Sequence, residues 1–132
     1  MKLKINCDGG SRGNPGPAAI GCVIKDETGK LLLEKGKCIG STTNNQAEYQ
    51  AVILGLEKAK ELGGTELDFK LDSELVVKQL NGEYKVKDAG LAAQFLKIWN
   101  LRRHFQKITF HHVYRDQNKE ADAMVNKALD EQ

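Results

Sequence analysis

A long helical segment lies between two groups of strand-like segments, and this order restricts the fold more than any other feature of the sequence. The helix opens within 42–51, where Thr43 or Asn44 can accept hydrogen bonds from the free N–H groups of the first turn. Apolar residues recur at helical spacing to about Leu62, and the glycine pair 63–64 ends the helix. A strand after such a helix favours a parallel, right-handed crossover onto a strand already in the sheet, which predicts an α/β fold.

Five segments have the patterns of strands. The first alternates apolar and polar residues, so one of its faces lies in a core. The second and third are separated by a short turn and predict an antiparallel hairpin. The predicted strands are 2–8, 18–26, 30–39, 65–72 and 107–114, and the predicted helices are 43–62, 74–80, 89–106 and 118–129. The expected order is therefore βββαβααβα.

Four acidic residues occupy corresponding positions at the ends of these elements. Asp8 and Asp72 each close a strand on its polar side, Glu48 lies near the start of the long helix, and Asp122 lies in the first turns of the last helix. If the first and fourth strands are neighbours, Asp8 and Asp72 lie side by side at the carboxyl edge of the sheet. Open α/β sheets place their sites at that edge.

Four carboxylates in one cleft repel one another, which raises their pKa values unless a cation is bound. Oxygen ligands of this kind suit Mg²⁺ or Mn²⁺ rather than Zn²⁺. Two such ions about 4 Å apart form the arrangement used for in-line attack of water on a phosphodiester. Each acid alone could instead be a turn residue or a partner of a helix dipole. Only the combination favours a metal site.

Composition restricts the partners and the compartment. A net charge of +2 gives no strong global field, so nucleic acid must be bound by local patches. A length of 132 residues predicts one domain, and the sequence contains neither a signal-peptide pattern nor a membrane-length apolar run. We therefore expect a cytoplasmic protein without membrane contact. Cys7, Cys22 and Cys38 are expected to be reduced thiols, with a Cys7–Cys22 or Cys22–Cys38 disulfide as the lesser alternative.

Four segments together resemble type 1 ribonuclease H. They are Asp8-Gly9-Gly10-Ser11 with Asn14-Pro15-Gly16-Pro17-Ala18, then Thr43-Asn44-Asn45-Gln46-Ala47-Glu48-Tyr49-Gln50-Ala51, then Leu71-Asp72-Ser73, and then Asn118-Lys119-Glu120-Ala121-Asp122. The resemblance covers essentially the whole chain. It implies a ribonuclease H-like fold, in which helices flank a five-stranded mixed sheet of three antiparallel and then two parallel strands. It also implies that residues 1–132 form a single catalytic domain, expected to act as a monomer.

The resemblance implies an endonuclease that hydrolyses the RNA strand of an RNA–DNA hybrid and leaves 5′-phosphate and 3′-hydroxyl ends. Two Mg²⁺ ions, with Mn²⁺ as a substitute, would be held by Asp8, Glu48, Asp72 and Asp122. Glu48 would also contact a ribose 2′-hydroxyl, which distinguishes RNA from DNA. The positions that match substrate-contacting residues of the family are Gly9, Asn14, Thr43, Asn44, Asn45 and Ser73.

Two features of the family are missing. Many members carry a His in the loop before the last helix, whereas this chain has Arg115 there. Arg115 is the candidate to bring a cation to the scissile phosphate, and a surface salt bridge is the alternative. The basic protrusion, an extra helix rich in Lys, Arg and Trp that binds the hybrid in some members, is also missing. Tyr84, Lys85 and Lys87 are candidates for a smaller binding surface in its place.

These departures leave two other functions open. One is a related nuclease that also cleaves RNA–RNA duplexes, and the other is a non-catalytic module that binds hybrids. The four acids argue against the second, because a binding module gains nothing from repulsion among carboxylates.

Overall fold

The computed structural model describes all residues from Met1 to Gln132. The strands are β1 (Lys2–Ser11), β2 (Gly16–Asp26), β3 (Leu31–Thr42), β4 (Glu66–Leu71) and β5 (Lys107–His112). The helices are α1 (Asn44–Glu61), α2 (Glu74–Leu80), α3 (Ala89–Arg102) and α4 (Lys119–Asp130). One turn of 3₁₀ helix, Arg115–Gln117, precedes α4. The predicted βββαβααβα order is confirmed, and none of the helices has the length and apolar character needed to cross a membrane.

All five strands belong to one sheet, in the spatial order β3-β2-β1-β4-β5. The β1–β2 and β2–β3 pairs are antiparallel, whereas β1–β4 and β4–β5 are parallel. This is the predicted arrangement of three antiparallel and then two parallel strands. It also confirms that β1 and β4 are neighbours, which is what brings their carboxyl ends to the same edge.

Helices cover both faces of the sheet. The main core lies on the face of Leu3, Ile5 and Phe69, where α1, α2 and α3 bury their apolar residues. The other face contributes Ala19, which packs against Val125 and Leu129 of α4 in a separate small cluster. Because the side chains of a strand alternate between faces, β1 directs its apolar residues toward α1 and its polar residues toward α4.

Side-chain caps determine where the helices begin. Thr43 Oγ1 accepts a hydrogen bond from the Gln46 N–H at 3.2 Å and begins α1, as predicted. Ser73 Oγ accepts from the Val76 N–H at 3.4 Å and begins α2, also as predicted. Gly63 follows α1 with a φ of 80°, a left-handed conformation that glycine adopts without strain.

Several predicted boundaries were wrong. β1 does not end at Asp8 but continues to Ser11, because residues 9–11 keep pairing with β2. β2 therefore begins at Gly16, and the predicted loop of nine residues shortens to four. β3 begins at Leu31 and runs on to Thr42 instead of residue 39, because its pairing with β2 extends to the Gly16–Thr42 pair.

The ends of three later elements also differ from the prediction. β4 ends at Leu71, so Asp72 follows the strand instead of closing it. α3 ends at Arg102 rather than near residue 106, because the Gln106 N–H already donates to the Thr65 carbonyl oxygen beside β4. β5 ends at His112 rather than residue 114, because the Tyr114 N–H turns to the Gln117 side chain.

The cysteines are free thiols. Cys7 and Cys22 are buried and lie opposite each other on β1 and β2, whereas Cys38 is exposed on β3. The expectation of reduced, partly buried thiols holds, and neither of the two alternative disulfides is present.

Gly9 allows the closest approach between the sheet and α1. A Cβ atom at this position would lie 2.3 Å from the carbonyl carbon and oxygen of Ala47 and 2.6 Å from the Glu48 nitrogen. The Gly9 N–H also donates to Glu48 Oε1 at 3.1 Å. The missing side chain thus places the residue after Asp8 directly against the helix that carries Glu48.

We expect Gly9→Ala to lower the free energy of unfolding by about 2 kcal/mol, because the added methyl group meets backbone atoms that must move. Gly10→Ala is the matched control, since its Cβ would meet only Val125 Cγ1 at 3.8 Å, an ordinary contact. The control should change stability by less than about 0.5 kcal/mol. Urea denaturation of both variants measures the difference, and equal stabilities would contradict the predicted close approach.

Candidate active site

Three of the four predicted acids meet where β1, β4 and α1 come together. One carboxylate oxygen from each of Asp8, Glu48 and Asp72 lies within 4.8 Å of the other two. Asp8 is supplied from inside β1, Asp72 from the residue after β4, and Glu48 from the beginning of α1. The parallel neighbours β1 and β4 therefore produce the proximity expected from the sequence.

Burial makes this cluster electrostatically unfavourable without a counter-charge. Asp8 and Glu48 are each only 7% exposed. Burial, followed by the negative charges of Glu48 and Asp72, raises the pKa of Asp8 to about 10. Burial also raises the pKa of Glu48 to about 7, although hydrogen bonds from the Asp8 side chain and the Gly9 backbone oppose that rise. In the absence of a cation, at least one of these carboxyl groups therefore holds a proton at neutral pH.

Glu48 also has an oxygen atom without a partner. Its Oε1 accepts the Gly9 N–H, whereas Oε2 is buried and has no hydrogen-bond donor when the neighbouring carboxyl groups are ionised. A buried carboxylate oxygen without a donor is costly, and native structures contain few of them. A divalent cation would satisfy Oε2 and neutralise the neighbouring charges, so the residues present fit a hard metal ion.

Asp122 lines the same cavity but is not one of the acids that meet within 4.8 Å. Its carboxylate is near enough to contribute to the raised pKa of Asp8. Arg115 Nη2 lies 3.5 Å from Asp122 Oδ1, and Asn126 Nδ2 donates to Asp122 Oδ2 at 3.4 Å. Three of the four acids expected to converge thus lie within 4.8 Å of one another. The fourth, Asp122, lies at the edge of the cluster, near Asp8 and bound to an arginine and an amide.

The acids lie in a cavity of about 420 Å³ that also contains two arginines. Both arginines are paired with acids of α4. Arg12 Nη2 lies 2.5 Å from Asp130 Oδ1, and Arg115 is paired with Asp122 as described. Cations beside a carboxylate cluster give the cavity both kinds of charge, which suits a ligand that carries phosphates together with metal ions.

Four of the residues predicted to contact substrate line this cavity, namely Gly9, Asn44, Asn45 and Ser73. Two others, Thr43 and Asn14, do not. Thr43 uses its hydroxyl to cap α1. Tyr84, Lys85 and Lys87 surround a separate surface depression beside α2 and lie outside the acidic cavity.

Asn14 and Asn44 attach the β1–β2 loop to the start of α1. Asn44 Oδ1 accepts from the Ser11 N–H at 2.9 Å, and the Asn44 N–H donates to Asn14 Oδ1 at 3.1 Å. The oxygen of the Asn44 amide is therefore occupied, while its Nδ2 forms no hydrogen bond within the protein. This arrangement leaves a free amide donor at the rim of the cavity.

Three polar residues that line the cavity were not predicted as site residues from the sequence: Ser11, Arg12 and Asn126. Asn126 had a usable signal, because it lies four residues after Asp122 and hence on the same face of a helix. Ser11 belongs to a segment that resembles the family but whose glycines predict a loop instead of the end of β1, and Arg12 lies in the loop that follows, where nothing in the sequence indicates which way it points.

Several known proteins are similar to this chain over most of its length. A family model described as reverse transcriptase-like matches residues 6–128. The ribonuclease HI of Halobacterium salinarum is 44% identical over 124 residues, which are 94% of this chain and 62% of that protein. The crystal structure of RNase H1 from the same archaeon superposes with a TM-score of 0.97 at 41% identity and covers 100% of both chains.

A further structure, LC11-RNase H1 in complex with an RNA/DNA hybrid, has a TM-score of 0.94 and 44% identity, and the match covers 98% of this chain and 97% of that one. The chain spans 36% of the length of the mycobacterial proteins that it matches at 43% identity. The family match covers almost the whole sequence, and the fold matches from end to end. The chain therefore belongs to the type 1 ribonuclease H family.

Proposed function

We propose that this chain is a metal-dependent endonuclease that hydrolyses the RNA strand of RNA–DNA hybrids and leaves 5′-phosphate and 3′-hydroxyl ends. The observation that carries the proposal is the cluster of Asp8, Glu48 and Asp72 with its unpartnered buried oxygen. The hybrid bound to LC11-RNase H1 supports the choice of substrate. We also propose that residues 1–132 form one catalytic domain that acts as a monomer in the cytoplasm, and the three free thiols support that compartment.

Two divalent cations fit the donor set. Asp8, Glu48, Asp72 and Asp122 offer only carboxylate oxygens, which suit Mg²⁺ and, as a substitute, Mn²⁺. When bound, the ions supply positive charge that stabilises the charge developing on the phosphodiester during attack by water. The four side chains would hold that charge at the carboxyl edge of the sheet, in the cavity where the substrate strand would lie.

The cavity rim supplies the groups that would recognise a hybrid. Glu48 would accept a hydrogen bond from a ribose 2′-hydroxyl, which an all-DNA duplex lacks. Asn44, with its free Nδ2, and Asn45 would donate to acceptors in the minor groove. Thr43 would contact a phosphate of the DNA strand at the N-terminus of α1, where the helix dipole favours an anion. Gly9, Asn14 and Ser73 would complete the contacts with the hybrid.

Arg115 would bring positive charge to the scissile phosphate. Its side chain is 80% exposed and its pairing with Asp122 is long at 3.5 Å, so the guanidinium is free to turn to a bound strand. Guanidinium groups recognise phosphates by paired hydrogen bonds, which a histidine cannot form. The pairing in the free protein would keep this cation at the cavity until substrate arrives.

The function is tested by cleavage of four end-labelled duplexes: RNA–DNA, RNA–RNA, DNA–DNA, and DNA with one ribonucleotide. Each is incubated with Mg²⁺, Mn²⁺ or EDTA. We expect metal-dependent cleavage of the RNA strand of the hybrid alone, and Asp72→Asn should reduce it by about 100-fold or more. Cleavage of RNA–RNA would indicate the broader nuclease. Binding without cleavage in either metal would indicate a recognition module and overturn the proposal.

For Arg115, we expect Arg115→Ala to lower kcat by about 10- to 100-fold, because the variant loses a cation at the reacting phosphate. Arg115→Lys should retain part of the activity, since it keeps the charge without the planar fork. Arg102→Ala is the control, because Arg102 lies on α3 over the Trp99 ring, 5.0 Å from its centroid, and does not line the cavity. Wild-type kcat in Arg115→Ala would assign this residue to a surface ion pair.

The metal-free protein should lose stability as the pH rises. In the folded state Glu48 and Asp8 retain protons up to about pH 7 and about pH 10, whereas both ionise near pH 4 in the unfolded chain. Between those values the folded state binds more protons. The free energy of unfolding therefore falls from about pH 4 to about pH 7 through Glu48, and continues to fall toward pH 10 through Asp8.

Thermal unfolding in EDTA at about pH 5.5 and about pH 8 measures this dependence. Asp8→Asn should flatten it, because the variant carries a neutral side chain of the same shape. Millimolar Mg²⁺ should raise the Tm more at the higher pH, since the ion competes with protons for the carboxylates. A wild-type Tm that rises with pH, or one that Asp8→Asn leaves equally dependent on pH, would contradict the electrostatic description of the site.

A further inference from the structure

We propose that Asn118 is a positioning residue that fixes the position of Asp122 relative to Asp8. It thereby determines whether the cation that requires Asp122 can be bound. This inference rests on the proposed function. Asn118 immediately precedes α4 and is 1% exposed. It is one of four buried polar or charged residues, and two of the others, Asp8 and Glu48, belong to the acidic cluster.

Both ends of the Asn118 side chain are bound to β1. Its Oδ1 accepts from Asn6 Nδ2 at 2.9 Å, and its Nδ2 donates to the Cys7 carbonyl oxygen at 2.9 Å. Pairing between β1 and β4 ends at Asn6, so the Cys7 carbonyl lies beyond the last pair of that ladder. Asn118 therefore fastens the start of α4 to the two residues that precede Asp8.

The Asn118 backbone extends this connection to the other side of the cavity. Its carbonyl oxygen accepts the Asp122 N–H at 3.1 Å in the first turn of α4, and its N–H donates to the Arg115 carbonyl oxygen at 3.0 Å. Starting from Cys7, which is bonded covalently to Asp8, two hydrogen bonds through one buried residue lead to the Asp122 backbone. No flexible side chain other than Asn118 lies on this route.

The other contacts of α4 are exposed polar pairs or apolar packing. Arg12 with Asp130 and Lys25 with Glu120 form salt bridges whose side chains are a third or more exposed, and exposed pairs of this kind contribute little to stability. Apolar packing against Ala19 and the close approach of the helix at Gly21 and Gly36 hold it to the sheet. Such packing tolerates small shifts along the helix axis more readily than hydrogen bonds, which require a particular distance and angle. The N–H groups that donate to the Asp122 carboxylate come from the exposed Arg115 and from Asn126, at long distances of 3.5 and 3.4 Å.

The two parts of the acidic site therefore depend on different elements. Asp8, Glu48 and Asp72 come from β1, α1 and the end of β4, and they meet without any contribution from α4. Asp122 alone comes from α4. Loss of the Asn118 connection should thus leave the three-acid cluster intact and weaken the cation that requires Asp122.

The test is a titration of the metal-free chain with Mn²⁺, in which the electron paramagnetic resonance signal reports free Mn²⁺. Asn118→Ala should weaken the lower-affinity Mn²⁺ by about 10-fold or more and leave the tighter ion unchanged. Asn118→Asp should behave similarly, because it cannot donate to the Cys7 carbonyl. Asn6→Ala keeps that bond and should have a smaller effect. In cleavage assays the Mg²⁺ concentration for half-maximal rate should rise, while the KM for the hybrid stays near the wild-type value.

Ile98→Ala is the control for a general loss of stability, because Ile98 is buried in α3 and does not line the cavity. The inference is overturned if Asn118→Ala binds both ions as the wild type does, or if Ile98→Ala shows the same selective loss at a matched Tm. A wild-type chain that cleaves hybrids but shows only one Mn²⁺ ion overturns this inference alone. A wild-type chain that neither cleaves hybrids nor binds Mn²⁺ overturns the proposed function, and the inference with it.

Discussion

The site depends on the parallel pairing of β1 with β4 and on the residue at which that pairing ends. The pairing brings Asp8 and Asp72 to one edge, and it ends at Asn6 and Lys70, before either acid is reached. Beyond that point the backbone of β1 is bonded by side chains instead, with Glu48 accepting from Gly9 and Asn118 donating to Cys7. Where β1 no longer pairs with β4, its backbone is thus bound by a side chain of α1 on one face of the sheet and by the residue preceding α4 on the other face.

The site holds an arrangement that the rest of the protein avoids. Two buried carboxyl groups lie against each other, and one buried oxygen has no donor. Apolar replacements would make a more stable protein, because unpaired buried charge is costly. Such an arrangement is expected where side chains are positioned to bind an ion at the expense of stability. Binding of one ion by all of them explains why the unfavourable groups occur together at one edge of the sheet.

The order of elements and the three clustered acids could be predicted because each depends on local pattern: alternation in β1 and β4, a cap at Thr43, and acids at the ends of elements. The ends of β1 and α3 could not be predicted from the sequence. The glycines at the end of β1 indicated a loop but pair with β2, and α3 ends early because the Gln106 N–H donates to the Thr65 carbonyl oxygen. The position of Asp122 at the edge of the cluster depends on how α4 is attached to the sheet, through the hydrogen bonds of Asn118 and the close packing at Gly21 and Gly36. These are tertiary contacts that no local sequence pattern records.

Cys38 gives the chain a built-in reporter. It is the exposed thiol of the three, and its Sγ lies 3.1 Å from the Ala128 carbonyl oxygen near the end of α4. This hydrogen bond breaks whenever the end of α4 leaves β3, so the S–H stretching vibration of Cys38 reports whether the helix end is attached. The attachment of this helix can therefore be followed in the unmodified sequence, without an introduced label.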